Sequence, residues 1–320
     1  MKLGVLLSIF RGQSLEKALD SVSKLGLDSV ELPVANYVDS GHFNIKSLLN
    51  NSEDLNNLRR SISERGLEIS AIAAHGNPIH PDKRISEVHH DAQKNAILLA
   101  EKLEVERVTL LSGCPGDSND SKYVNWVSGA WPSENIDLLE WQWNNKVLPF
   151  WKKEIDFAEE HGVSKLCIEM HPNCVVYNPK TLLKLRNEVG KTIGCNFDPS
   201  HLFWQGIDVV AAIRALGNCI YHAHVKDIYI NAHRSGIDGM HDTTSFEDWG
   251  QRSWQFRTIG YGHDLMTWRN VMSAYRTIGY DYVQSIEHED PMASVNEGLN
   301  KAVQFLKLVT LTEKSSGIVP

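Results

Sequence analysis

The chain has 320 residues, 42% of them apolar and 22% charged, with a formal net charge of −8. That length accommodates two average domains or one barrel with insertions, and no composition break or low-complexity linker divides it, so one domain over 1–320 is expected. The acidic balance offers no cationic field for a phosphate backbone, and no apolar stretch approaches bilayer-spanning length, so neither nucleic acid nor membrane is an expected partner.

At the N-terminus, Met1-Lys2 runs straight into the apolar stretch 3–9, which is too short for a signal peptide and is followed by no small-residue cleavage site. Cytoplasm is the expected compartment. Strand-like runs at 3–7, 28–32, 68–73, 107–112, 165–170, 192–197, 220–225 and 281–286 alternate with helical patterns at 14–25, 53–65, 84–103, 134–161, 179–189, 207–216, 265–278 and 292–309. Ser14 stands where the first helix needs an N-cap, Gly26 and Gly66 follow the first two helices, and Asn178-Pro179 opens the fifth. Eight βα units without a Gly-rich dinucleotide fingerprint predict an α/β fold, a (β/α)8 TIM barrel with enlarged loops on its C-terminal face. Those loops are 113–133, with Trp126 and Trp131, and 228–256, which shows no clear apolar period and reads as a lid or docking loop. Cys114, Cys167, Cys174, Cys195 and Cys219 show no CxxC pairing, which argues for a reducing compartment.

Four strand tips carry chemistry: Glu169 after Leu166-Cys167-Ile168, Asp198 after Phe197, His224 in His222-Ala223-His224, and Glu287 after Ser285-Ile286. A parallel barrel brings all strand C-termini to one face, so these four can share one cation. Three carboxylates and an imidazole form a hard, oxygen-rich set that suits one divalent ion, Mn²⁺ first, then Mg²⁺, Co²⁺ or Zn²⁺. Such an ion polarises a chelated hydroxy-ketone and stabilises the enediolate formed on proton abstraction, and a carboxylate with a free oxygen acts as acid or base. The spacing is consistent: 29 residues from Glu169 to Asp198 and 26 to His224 each fit one βα unit, and the 63 to Glu287 contain the 228–256 loop.

Around these residues the chain resembles the sugar phosphate isomerase/epimerase superfamily, the xylose isomerase-like TIM barrels that include endonuclease IV. The resemblance rests on Glu169, Asp198-x-x-His201, His224 in His-x-Lys-Asp, Gly260-Tyr261-Gly262 and Glu287. By that resemblance Glu169, Asp198, His224 and Glu287 bind the metal. Glu169 and Glu287 exchange the proton, His201 contacts a substrate oxygen, and Arg257 binds a substrate hydroxyl or carbonyl. Trp254-Gln255-Phe256 and Ser112-Gly113-Cys114 replace residues of the three-metal nucleases, which disfavours a phosphodiesterase. Val175 stands where ketose 3-epimerases carry a further glutamate, so an ordinary ketose grip is not expected.

In the third loop, Ala74-His75-Gly76-Asn77-Pro78-Ile79-His80 puts polar groups on the catalytic face. His75 is the expected extra catalytic base, with Asn77 and His171 as substrate-binding candidates; His222 is a candidate for holding a ligand in place. Lys226 is expected to point to the barrel rim and Asp227 to cap the loop. The leading expectation is a metal-dependent sugar isomerase or epimerase with a small-molecule sugar as its partner. The rival is a lyase on keto-sugars, resembling inosose dehydratases or the metal-bearing subunit of C-glycoside deglycosidases, which act on 3-keto-glycosides. Either a homo-oligomer or a small accessory subunit is compatible with this reading. A barrel that only binds carbohydrate through Trp126, Trp131, Trp204, Trp249 and Trp254 is the third class.

Overall fold

The computed structural model describes residues 1–313; residues 314–320 of the expected domain lie outside that description. Ten strands follow in chain order: β1 (Lys2–Leu6), β2 (Ser29–Pro33), β3 (Glu68–Ala73), β4 (Arg107–Leu111), β5 (Lys165–Glu169), β6 (Ile193–Phe197), β7 (Ile220–Val225), β8 (Asp227–Ile230), β9 (Trp254–Arg257) and β10 (Val283–Ile286). β1 to β7 and β10 close into a parallel barrel in the order β1-β10-β7-β6-β5-β4-β3-β2. The TIM-barrel architecture read from the alternation is therefore the observed one.

Strand alternation divides the interior into two regions. Along β5, Leu166 and Ile168 join the apolar layer beneath the helices with Trp151, Ile155, Leu182 and Leu185. Cys167 and Glu169 take the other parity and face the barrel axis. The helices start where short polar side chains satisfy their free N–H groups. Asn178 and Thr181 form a capping box ahead of Pro179–Val189, and Asp208 caps Val209–Leu216 through the N–H of Ala211.

Two elements differ from expectation. The helix expected at 134–161 runs as Glu134–Gln142 and Leu148–Glu160 with a π-helical turn, Trp143–Val147, between them. Pro149 has no N–H to return to the preceding turn, and the helix widens just before it. The 228–256 loop is also more ordered than its pattern implied. β8 and β9 pair antiparallel from Asp227↔Arg257 to Ile230↔Trp254, enclosing the helix Ala232–Asp238. Ile228, Trp204 and Trp254 give this hairpin a small core of its own.

Asp227 fixes the root of the hairpin, as its expected capping role requires. Its Oδ2 accepts from the N–H groups of Gly260, Gly262 and His263 and from the Trp268 indole, and its Oδ1 accepts from Ile228 N–H and faces His263 Nδ1 at 2.7 Å. Gly262 permits this wrapping because a Cβ there would collide with the Ile228 carbonyl. Gly262→Ala should therefore lower stability by about 1–3 kcal/mol, the range for overpacking. Chemical denaturation reads this directly, and an unchanged midpoint would contradict the close approach.

Candidate metal centre

Glu169 ends β5, Asp198 follows β6, His224 is the penultimate residue of β7, and Glu287 follows β10. One ligand atom from each lies within 4.8 Å of all the others. His224 Nδ1 stands 3.1 Å from Glu169 Oε2 and 3.2 Å from Glu287 Oε2. His201 Nε2 lies 3.2 Å from Glu169 Oε1 and 3.3 Å from Asp198 Oδ2. Asp198 Oδ2, His201 Nε2 and His224 Nδ1 are buried and make no hydrogen bond among the described residues. Buried polar atoms are rarely left so, and here they converge on one point.

A polar layer beneath the site aims these side chains. Glu31, fully buried in β2, pairs with His224 Nε2 at 2.9 Å, so His224 offers Nδ1 to the site. Thr109 and Ser285 donate to the same carboxylate at 2.7 and 2.8 Å. On the other side, Asn196 donates to Glu169 Oε2 at 2.9 Å, and its own carbonyl faces His222 Nδ1 at 2.9 Å. Barrel register sets this relay, since Glu169 lies opposite Asn196 and Asn196 opposite His222. Register irregularities fall at Val30/Glu31 and Cys195/Asn196, where the chain re-aims these two side chains. His222, a candidate for holding a ligand in place, reaches Glu169 through Asn196. Glu31 and Asn196 were not anticipated, although each interrupts an apolar strand with a buried polar residue.

Lys226 departs most from expectation. It is 2% exposed and turns into the site, with Nζ 2.7 Å from Glu287 Oε2, 3.1 Å from Asp198 Oδ2 and 3.0 Å from Glu289 Oε2. The inward carboxylates of Asp198 and Glu287 draw the ammonium in, and the half-exposed Glu289 meets it from outside. Burial alone would discharge it, yet Asp198 and Glu287 hold its pKa well above the ordinary lysine range.

The remaining candidates separate into two groups. His75 is buried, its Nε2 lies 3.4 Å from Glu169 Oε2, and neither ring nitrogen makes a hydrogen bond among the described residues. The His171 ring packs 4.2 Å from that of His201. Asn77, by contrast, spends both ends of its amide on the Cys114 backbone, donating to the carbonyl at 2.9 Å and accepting from the N–H at 3.1 Å. This ties the third loop to the fourth and leaves the amide committed to the protein. Arg257 Nε is likewise committed, lying 3.2 Å from both carboxylate oxygens of Asp290. His80 turns away and accepts from Asp82 N–H. His288 packs against Gly298 of the last helix, where a Cβ would strike its ring.

Electrostatics follow burial and neighbours. Burial would raise the Glu31 carboxyl, but His224 and His222 bring it down to about 2. Burial favours a neutral His224, yet Glu31 and Glu287 raise it well above the usual imidazole range. Glu169 and Glu287 resist their burial and stay well below the carboxylate range, Glu169 through His201 and His224 and Glu287 through Lys226 and His224. Burial lowers His171 to about 3. The donor set fits a hard divalent cation once His224 gives up its proton: three ionised carboxylates join the Nδ1 that Glu31 turns toward them, and the carboxylates outnumber the Lys226 ammonium by two charges.

Comparison with known proteins gives a consistent result. The family model for the xylose isomerase-like TIM barrel matches residues 19–309. The uncharacterized protein YfiH of Bacillus subtilis (strain 168) is 34% identical over 309 residues, covering 96% of this chain and 98% of its own. Among solved structures, the probable 3-DHS dehydratase AsbF of Bacillus anthracis superposes with a TM-score of 0.67 at 16% identity, over 96% of this chain and 99% of its own. A D-psicose 3-epimerase superposes with a TM-score of 0.62 at 16% identity, over 97% and 99%.

The buried relay carries a pH signature. Burial holds His222 neutral, its pKa lowered from 6.5 to about 4 despite the pull of Glu31. As pH falls through that window the unfolded chain takes up the proton first, so acid draws the equilibrium toward unfolding. The loss contributed by His222 is on the order of 3 kcal/mol at about 1.4 kcal/mol per pH decade. Melting temperature should fall between pH 6.5 and 4, and His222→Asn should flatten that slope. An equal slope in the variant would remove His222 as its source.

Proposed function

The chain belongs to the xylose isomerase-like TIM barrel family, and from that premise we propose that it is a divalent-metal-dependent sugar isomerase or epimerase. The single observation that carries the reading is the convergence of Glu169, Asp198, His224 and Glu287 within 4.8 Å, with the far side of His224 held by Glu31. Glu169, Asp198, His224 and Glu287 would hold the cation, and Mn²⁺ is the first candidate on donor chemistry. A cation bound there supplies polarisation of the substrate carbonyl, which acidifies the neighbouring C–H.

The chain's own groups do the rest. Glu169 and Glu287 come from strands well apart in the barrel order, so they approach the reacting carbon from different directions. One takes the proton and the other delivers it, which inverts or relocates the centre. Against burial, hydrogen bonds to His201 and His224 hold Glu169 below the ordinary carboxylate range, and Lys226 and His224 do so for Glu287, so both are carboxylates that can take a proton. Asn196 restrains one oxygen of Glu169, and Lys226 steadies Glu287 and neutralises charge that builds on substrate oxygen. His201 and His171, whose rings lie 4.2 Å apart, would meet a substrate hydroxyl. Asn77 is held by the Cys114 backbone, whereas Arg257 gives only its Nε–H to Asp290 and would offer its terminal N–H groups to a substrate hydroxyl or carbonyl.

One observation favours the lyase reading as the second. His75 lies against Glu169 with both ring nitrogens unpartnered, which supplies a third proton-carrying group. After proton loss beside a ketone, such a group can protonate a departing substituent two carbons along. The substrate is an uncharged sugar or keto-sugar. The five cysteines are all buried and unpaired, which supports a cytoplasmic, reducing setting. No helix of the described residues is long and apolar enough to cross a membrane.

Glu169→Gln and Glu287→Gln should each lower turnover by about 10²–10⁴-fold, the contribution typical of a positioned acid or base. Ordinary rates in both would rule out the two-glutamate shuttle. Chelation should abolish activity and added Mn²⁺ restore it. Solvent deuterium exchange on a panel of ketoses, 3-keto-glycosides and inososes tests the reaction class: label in a product of unchanged formula is the expected result, whereas loss of water or an aglycone selects the lyase. His75→Ala separates the readings further, since about 10²-fold loss requires the third group and an unchanged rate dispenses with it.

A further inference from the structure

β7 and β10 are neighbours in the barrel, and their register sets Val225 opposite Ile286. The next residues, Lys226 and Glu287, therefore leave the two strands side by side, and Glu289 follows two residues later in the same loop. The Lys226 ammonium donates to Glu287 Oε2 at 2.7 Å and to Glu289 Oε2 at 3.0 Å, and it makes an ion contact with Asp198 Oδ2 at 3.1 Å. The Phe256 ring of β9 closes a fourth side, with its centroid 4.5 Å from Nζ. An ammonium has three N–H donors, and three carboxylate oxygens engage them. In this arrangement Lys226 has no donor left for another group.

The three carboxylates are not equivalent. Glu287 Oε2 lies 3.2 Å from His224 Nδ1, and Asp198 Oδ2 lies 3.3 Å from His201 Nε2, so both oxygens face the centre. Both residues belong to the set that would hold the cation. Glu289 does not belong to it. Its side chain is 48% exposed, and it meets the centre through Lys226. An ammonium and a divalent ion on the same buried oxygens repel each other strongly, because little water screens them. One of the two must yield, and Lys226 already touches an acid that the ion does not need.

We propose that Lys226 competes with the cation for Asp198 and Glu287 and is kept by Glu289 when the cation binds, so that the Lys226–Glu289 pair sets the affinity of the centre. The proposal rests on the metal-dependent reading and deepens it. Lys226 can neutralise charge on a substrate oxygen only with a donor to spare. Release from Asp198 and Glu287 returns two donors, while Glu289 holds the ammonium beside the centre. Glu289 thereby becomes a positioning residue, acting through Lys226.

The test is calorimetric titration of Mn²⁺ into the full-length protein after chelation, at one ionic strength. Lys226→Met and Lys226→Gln remove the competing charge and should each bind Mn²⁺ at least about tenfold more tightly than the wild type. Glu289→Gln removes the acid that draws the ammonium off the ligands, and should bind Mn²⁺ about fivefold more weakly. With Lys226→Met already present, Glu289→Gln should change the affinity by less than about twofold, because the coupling runs through the lysine. Thermal denaturation gives a second readout: Mn²⁺ should raise the melting temperature of Lys226→Met by more than that of the wild type. Binding that is no tighter in either lysine variant, or a Glu289→Gln effect of equal size with and without Lys226, would overturn the competition and leave the metal reading intact. If neither lysine variant folds, Glu289→Gln decides alone, and unchanged or tighter binding there overturns the proposal. A wild-type protein that binds no Mn²⁺ would remove the metal reading and this proposal together.

Discussion

The pairing of Glu31 with His224 is the constraint on which the centre depends. A carboxylate at zero exposure inside a barrel is tolerated only with several partners, and Glu31 has His224, Thr109 and Ser285 around it. In return it fixes the His224 ring and leaves one nitrogen facing the three carboxylates at the mouth. Without that anchor the imidazole could rotate, and a ring free to rotate is a poor metal ligand. The relay from His222 through Asn196 does for Glu169 what Glu31 does for His224. These two supports come from adjoining regions of the barrel interior, so the catalytic face inherits its geometry from the layer below.

Charge balance explains the other unusual feature, a buried lysine among acids. Glu169, Asp198 and Glu287 would repel one another strongly at these separations in a medium of low polarisability. Lys226 relieves part of that repulsion, and two negative charges remain for an external ion to match. Asp227, the next residue in the chain, anchors the hairpin and the Gly260-Tyr261-Gly262 turn through its cluster of accepted hydrogen bonds. One dipeptide thereby couples the charge of the centre to the fold of the loop that covers it. The same hairpin supplies Trp254 and Phe256, which pack with Trp204 and Ile228 into its small core.

Much of this was legible in the sequence because barrel topology turns local pattern into spatial meeting. Apolar runs ending in Glu169, Asp198, His224 and Glu287 could be read without coordinates, since parallel strands deliver their tips to one face. The hairpin was not legible: Ile228-Tyr229-Ile230 finds its partner only across the residues between β8 and β9, and non-local pairing leaves little periodic trace. Glu31 was hidden for the opposite reason, as one polar residue within an apolar strand resembles an edge position until burial is known. Lys226 was misread because lysine ordinarily seeks solvent, and only the arrangement of three acids around it reverses that preference. Asn77 lies close to where it was expected, but the Cys114 backbone engages both ends of its amide, which spacing alone does not disclose.

The most direct test of the account is the location of the ion itself. Crystals soaked in Mn²⁺ and measured at the manganese absorption edge should give one strong anomalous peak per chain, in contact with Glu169, Asp198, His224 and Glu287. No peak there after saturation, or a peak whose contacts omit two or more of these four, would contradict it.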